Sequence, residues 1–188
     1  IPDRIEAGSF DILAAMVGKN ILIKNCDPSH LIVFLEHLKA AGVEVLKNKN
    51  SLKISAPKKL NAVNVKTHEY PGFVTDLQAP FVSLLTQAYG KSVVHETIFE
   101  GRLNYTEDLN RMGAKIMHCD TQRIIIEGPV NLHGREMESP DLRAGLAFVL
   151  SAFSACGEST IHGVYKIDRG YERIEERLQK LGADIKRI

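Results

Sequence analysis

No stretch of this chain is apolar over the roughly 18 residues that a membrane-spanning helix needs, and no charged-then-apolar leader opens it. No membrane contact is therefore expected. Net charge is nearly absent as well: 24 Lys and Arg against 23 Asp and Glu leave +1. That excludes the broad field that holds nucleic acid, although single arginines can still build a local anion site. Low-complexity segments are missing. The seven histidines and three cysteines show no HExxH or Cys-x-x-Cys spacing, which argues against a metal site. A phosphate loop, a Gly-x-Gly-x-x-Gly fingerprint and a Gly-x-Ser-x-Gly elbow are absent too, so no nucleophile can be nominated. Cys26, Cys119 and Cys156 are odd in number and widely spaced within apolar stretches. They predict buried, reduced thiols in a cytoplasmic protein rather than a disulfide framework.

What remains is an ordinary globular composition, 44% hydrophobic and 25% charged over 188 residues, enough to bury roughly 70% of the unfolded surface. Within it lies an internal repeat. Three times the chain writes Leu-x-x-x-Gly followed by a hydrophobic, a charged and a hydrophobic residue: Leu38 to Val45, Leu109 to Ile116 and Leu178 to Ile185. The glycines stand at 42, 113 and 182, so they are 71 and then 69 residues apart. The similarity extends upstream to Gly18-Lys19, Gly90-Lys91 and Gly157-Glu158. Each of these ends an apolar stretch and precedes a β-branched run that reads as a strand, at 21–23, 92–98 and 159–164.

The helices expected before those breaks, at 10–17, 76–88 and 141–155, carry few charges and are predicted to be buried. Those expected at 29–41, 106–112 and 171–181 are amphipathic and belong nearer the surface. The repeated glycine then caps the second helix and introduces a strand, at 43–46, 115–118 and 184–188. In the first two copies a partner strand follows, at 51–56 and 123–127, while residues 56–70 and 128–140 link one unit to the next. The third copy has no partner strand, and since proteins avoid open edges, that strand is expected from elsewhere. The chain also opens Ile1-Pro2-Asp3, without Met, and is expected to be a fragment or an excised domain. The predicted fold class is α/β (α+β): one domain over 1–188, with units at about 1–57, 71–129 and 140–188, quasi-threefold, apolar helices inside and strands outside.

Chemistry has two places to sit in this scheme. The first is the start of the buried helices, where Asp76-Leu77-Gln78-Ala79 and Asp141-Leu142-Arg143-Ala144 match. The plainer reading of Asp76 and Asp141 is a helix cap or a first-turn charge. The functional one is that free amides and Arg143 hold an anion while an aspartate takes a proton. The second place is the passage from strand to surface helix, where Arg102 and Arg169 stand beside glycines in equivalent positions. Solvated salt bridges on a charged helix face explain them equally well, but an arginine next to glycine also leaves room for a phosphate or carboxylate.

At these residues the chain resembles the enolpyruvyl transferases, and within them the branch acting on UDP-N-acetylglucosamine. The matching segments are Ile1-Pro2-Asp3-Arg4-Ile5-Glu6-Ala7-Gly8, Pro71-Gly72-Phe73-Val74-Thr75-Asp76-Leu77-Gln78-Ala79, Glu96-Thr97-Ile98-Phe99-Glu100, Asp141-Leu142-Arg143-Ala144 and Ile167-Asp168-Arg169-Gly170-Tyr171-Glu172-Arg173-Ile174-Glu175. The resemblance implies transfer of enolpyruvyl from phosphoenolpyruvate to the 3′-hydroxyl of UDP-N-acetylglucosamine, the first committed step toward peptidoglycan precursors, with no cofactor. It makes Asp76 the base near the sugar hydroxyl and a sugar-nucleotide contact, Ile98 a backbone contact to the same substrate, and Arg169 a ligand of phosphoenolpyruvate. Arg102, Asp141 and Arg143 match residues of the cleft. Pro140 departs from the family's Thr or Ser, and Gly101-Arg102-Leu103 from its Asn-Arg-Phe.

Family members close two inside-out α/β barrels over their substrates, and the match is to the C-terminal one. The resemblance therefore implies that an N-terminal domain supplies the rest of the site, and that the N-terminus of the polypeptide crosses over to supply the strand the third unit lacks. This chain alone is then expected to be inactive. The alternatives are a shikimate-pathway enolpyruvyl transferase, which shares the fold, and a non-catalytic repeat module that binds a sugar nucleotide.

Overall fold

Each repeated glycine ends a helix by the same backbone geometry in the computed structural model, which describes residues 1–188. Gly42, Gly113 and Gly182 have φ of +90°, +109° and +94°, a region a side chain would strain. Their amides donate to Lys39, Asn110 and Gln179, and the next amides (Val43, Ala114, Ala183) donate to Leu38, Leu109 and Leu178. This is the Schellman closure, which occupies two carbonyls that the helix end leaves free. The motif Leu-x-x-x-Gly is thus a helix terminator whose leucine is also core: Leu38, Leu109 and Leu178 are all buried.

In the first unit, α1 (Arg4–Val17) leads to β1 (Ile21–Lys24), a 3-10 turn (Pro28–Leu31) running into α2 (Ile32–Ala40), and the hairpin β2 (Glu44–Asn48) and β3 (Ser51–Ser55). α1 begins six residues before the expected 10–17, because the Asp3 carboxylate accepts from the amides of Ile5 and Glu6 and caps it. The second unit adds β4 (Val65–Lys66), a 3-10 turn (Thr75–Leu77) leading into α3 (Gln78–Leu85), β5 (Gly90–His95), α4 (Thr106–Arg111), and the hairpin β6 (Lys115–His118) and β7 (Arg123–Gly128). The third holds β8 (Leu132–His133), β9 (Glu136–Glu138), α5 (Leu142–Ala152), β10 (Ala155–Cys156), β11 (Thr160–His162), α6 (Tyr165–Asp168) and α7 (Ile174–Lys180).

The helices α1, α3 and α5 form the interior. All eight residues of α3 are buried, as are Ala144 to Ser151 of α5. Glycines let neighbours close on two of these helices: a Cβ on Gly8 of α1 would come within 2.7 Å of Leu77 in the turn before α3, and one on Gly145 of α5 would collide with Ser139 and with Ile167 of α6. Phe73 and Phe81, 5.2 Å apart edge to face, join Phe34 of α2 in an aromatic cluster. Around this interior lie separate sheets, β1-β3-β2, β4-β5-β7-β6, β9-β11 and β8-β10. The architecture is mixed α/β, and no sheet closes into a continuous barrel.

Three expectations need correction. Residues 56–70 and 128–140 are more than linkers: β4 pairs in parallel with β5, β9 with β11 and β8 with β10. Strands of two or three residues are too short to show a period. Residues 184–188 form no strand. In the first two units the second hairpin strand, β3 or β7, lies in the middle of the sheet and pairs on both sides, and the third unit has no such strand to pair with. A groove of about 840 Å³ lies there instead, lined by β11, the faces of α5 and α7, and residues 184–188. Finally, only Cys26 is buried. Cys119 lies at the tip of the β6–β7 hairpin and Cys156 in the short β10, both exposed, and all three are free thiols. No helix is long and apolar enough to cross a membrane.

Asp11, on the inner side of α1, is wholly buried with neither carboxylate oxygen hydrogen bonded. Burial pushes its carboxyl well above the ordinary carboxylate range. A carboxyl whose folded-state pKa is raised supports the fold below its unfolded pKa, and that support is lost as pH rises through the folded value. Asp11→Leu is therefore expected to stabilise the chain by roughly 1–3 kcal/mol near neutral pH. In thermal melts at about pH 5 and about pH 8, the gain in Tm is larger at the higher pH.

Candidate functional site

The two matching Asp-Leu-x-Ala motifs fold to different ends. Asp141 is the N-cap of α5, its Oδ1 accepting from the amides of Arg143 at 2.7 Å and Ala144 at 3.0 Å, a contribution of about 0.5–2 kcal/mol. The Arg143 and Ala144 amides of α5 are therefore occupied. Asp76 caps nothing. It sits inside the 3-10 turn before α3, whose N-cap position is Val74 with no side-chain cap, and its carboxylate turns outward to two arginines.

Arg102 donates from Nη2 to Asp76 Oδ1 at 3.2 Å and from Nη1 to Thr75 Oγ1 at 2.6 Å. Its guanidinium also lies 4.6 Å above the Phe99 ring. The turn that carries it bends at Gly101, where φ is +71°. Arg143 reaches the same Asp76 Oδ1 from the start of α5, with Nε at 3.4 Å. Its Nη1 donates to the Tyr171 hydroxyl at 3.3 Å, and that hydroxyl lies 2.8 Å from Ser9 Oγ. The side chains of Arg102 and Arg143 are only 20% and 18% exposed against 37% for Asp76, so both guanidiniums are held while the carboxylate keeps one face open. Both arginines take Oδ1. Asp76 Oδ2 accepts no hydrogen bond from the chain.

Ile98 follows in the turn after β5. Its amide donates to Glu96, and its carbonyl accepts nothing from the chain. Arg169, at the C-terminal end of α6, is exposed and makes no ion pair. Its turn approaches the cluster indirectly, since a Cβ at Gly170 would lie 3.0 Å from Leu142 and Tyr171 reaches Arg143. The neighbouring Asp168 is clamped by Arg187 through two bonds of 2.9 and 2.7 Å, which hold its carboxyl below the ordinary range. Asp76, Arg102 and Arg143 are thus brought together, with Asp141 and Ile98 on the flanking turns and Arg169 as a free cation beyond. Three guanidiniums (Arg102, Arg143, Arg169) and three carboxylates (Asp76, Asp141, Glu96) meet in this region, so an anion would be held by individual arginines rather than by a net positive field.

Sequence reasoning passed over Thr75, Glu96, Tyr171 and Ser9, which hold the arginines and the Ile98 turn. All four fall inside the matching segments or beside one, but single letters give no sign of which side chains meet.

Comparisons with known proteins agree on one family. The family model described as EPSP synthase (3-phosphoshikimate 1-carboxyvinyltransferase) matches residues 1–178. A UDP-N-acetylglucosamine 1-carboxyvinyltransferase of Koribacter versatilis is 47% identical over all 188 residues, which cover 43% of its length. A protein of the same name, numbered 2, from Listeria monocytogenes is 43% identical over 187 residues, 44% of its length. The chain therefore spans less than half of these curated relatives. Among solved structures, the enolpyruvyl transferase NikO from Streptomyces tendae superposes with a TM-score of 0.91 at 25% identity, over 99% of this chain and 44% of that one. EPSP synthase from Acinetobacter baumannii superposes at 0.73 with 16% identity, over 99% of this chain and 43% of that one, a likeness of fold.

Proposed function

Because the chain belongs to the EPSP synthase (enolpyruvyl transferase) family, we propose that it forms the C-terminal half of an enzyme that moves enolpyruvyl from phosphoenolpyruvate to the 3′-hydroxyl of UDP-N-acetylglucosamine. The observation that carries this reading is Asp76, partly exposed and fixed through Oδ1 by Arg102 and Arg143, with Oδ2 accepting no hydrogen bond from the chain. In the reaction the sugar hydroxyl adds to C2 of phosphoenolpyruvate while C3 gains a proton. C3 then loses a proton and C2 releases phosphate, which restores the double bond. Asp76 Oδ2 takes the hydroxyl proton as the oxygen attacks, a role that needs a positioned acceptor within hydrogen-bond reach. The Ile98 carbonyl and Asp76 hold the sugar nucleotide. Arg169, free of any carboxylate in this chain, binds the phosphoenolpyruvate anion, and Arg102 and Arg143 stabilise negative charge gathering at the tetrahedral centre. Asp141 keeps α5, and with it Arg143, in place.

In this reading the chain is one of two inside-out α/β barrels, and the other supplies the opposite wall of the cleft and the acid that protonates C3. The groove beside β11 receives one occupant, a strand from the remainder of the polypeptide. The two complete units supply the template, since each has a strand in that position paired on both sides. The relatives, more than twice as long, supply a source for it.

Acceptor choice is the test. The complete polypeptide, given phosphoenolpyruvate, is expected to release phosphate with UDP-N-acetylglucosamine and not with 3-phosphoshikimate, as followed by a phosphate assay. The reverse preference would transfer the reading to the shikimate branch. The 42–47% identity to proteins named for UDP-N-acetylglucosamine, against 16% to an EPSP synthase structure, favours the first outcome.

A further inference from the structure

Two carboxylates are wholly buried in this chain, and they are opposites. Asp11 has no partner. Glu96, at the end of β5, has four. Its Oε1 accepts from Thr67 Oγ1 at 3.0 Å and from the amides of Ile98 and Phe99 at 2.9 and 3.2 Å, and its Oε2 accepts from Thr75 Oγ1 at 2.8 Å. Every group facing it is a donor, and only an ionised carboxylate is acceptor throughout.

The four bonds reach both halves of the sugar-nucleotide wall. Thr75 has a single proton and spends it on Glu96, which leaves its oxygen lone pairs toward Arg102, whose Nη1 donates to it at 2.6 Å. Arg102 in turn holds Asp76. On the other side, the bonds to the Ile98 and Phe99 amides fix the turn whose Ile98 carbonyl accepts nothing from the chain. We propose that Glu96 is a positioning residue for enolpyruvyl transfer, one carboxylate that sets both the hydroxyl on which Arg102 rests and the turn that offers the Ile98 carbonyl. The inference rests on the function proposed above.

The amide of Glu96→Gln cannot serve all four donors. If Nε2 replaces Oε2, the Thr75 proton loses its acceptor and competes with Arg102. If it replaces Oε1, it opposes two backbone amides and the Ile98 turn opens. Either outcome displaces a sugar-nucleotide contact, while Arg169, which has no bond to this network, is untouched.

The test is steady-state kinetics on the complete polypeptide, assayed well below each variant's melting temperature. Glu96→Gln is expected to raise KM for UDP-N-acetylglucosamine and lower kcat/KM for it by roughly tenfold to a hundredfold, with KM for phosphoenolpyruvate changed by less than about threefold. Thr75→Val, which keeps the shape of the side chain and puts a methyl group in place of the hydroxyl, reproduces part of the loss. The double variant is expected to be little worse than Glu96→Gln, because both act on one chain of bonds. Wild-type kinetics in either single variant, losses that multiply in the double, or KM values for both substrates rising together would each overturn the proposal. Where Glu96→Gln does not fold, Thr75→Val decides it alone. A wild-type polypeptide that fails to turn over these substrates instead overturns the proposed function and this inference with it.

Discussion

Asp76→Asn in the complete polypeptide is expected to lower kcat for enolpyruvyl transfer by about 10²–10⁴-fold, the range over which a positioned general base contributes. The substitution is chosen for what it preserves. Asparagine keeps the volume of the side chain and an oxygen for Arg102 and Arg143, which now meet at Oδ1, so the guanidinium wall stays in register. What it loses is the open oxygen: Oδ2 becomes an amide nitrogen that donates protons and cannot accept one. Affinity for the sugar nucleotide is therefore expected to change far less than turnover, the pattern of an interaction made only as the transition state forms. Asp76→Ala differs in kind, since it releases both arginines and disturbs binding as well. Turnover near the wild-type level in Asp76→Asn would exclude Asp76 as the base.

The second large effect is in the third sheet. The amides of residues 184–188 donate to no backbone carbonyl of this chain, and β11 is paired on the β9 side alone. In hydrogen–deuterium exchange followed by mass spectrometry, the peptide covering 184–188 is expected to exchange rapidly in the 188-residue chain. In the complete polypeptide, with a strand seated between β11 and this segment, exchange is expected to slow by roughly a thousandfold at the amides that face that strand, which corresponds to an opening cost of about 4 kcal/mol. The counterparts in the first two units, β2 and β6, are paired within the chain already and so serve as internal controls whose protection changes little. Equal exchange of 184–188 in both proteins would remove the inserted strand.

How much of this could be read from the letters depends on the range of the interaction. The terminator Leu-x-x-x-Gly was legible because a Schellman closure involves only neighbours in sequence, and the structure shows it three times at Gly42, Gly113 and Gly182. The open third unit was legible by counting strands. The divergence of Asp76 and Asp141 was not, although their motifs match, because a cap is local whereas the ion pairs of Asp76 depend on Arg102 and Arg143, 26 and 67 residues away in sequence. Glu96 shows the same limit: its donors come from three segments, and a glutamate between His95 and Thr97 looks like an ordinary exposed residue of a strand. The cysteines failed for a smaller reason. Cys119 follows strand β6 and Cys156 ends the short β10 that follows the apolar helix α5, but both lie where the chain reaches solvent.

The most direct measurement of the whole account is product analysis by mass spectrometry after incubating phosphoenolpyruvate and UDP-N-acetylglucosamine with the complete polypeptide and, separately, with the 188-residue chain. The account predicts a UDP-N-acetylglucosamine enolpyruvyl ether, with one phosphate released per product, from the complete polypeptide and none from the chain alone. An ether formed by the chain alone would contradict the shared cleft, and no ether from either would contradict the proposed reaction.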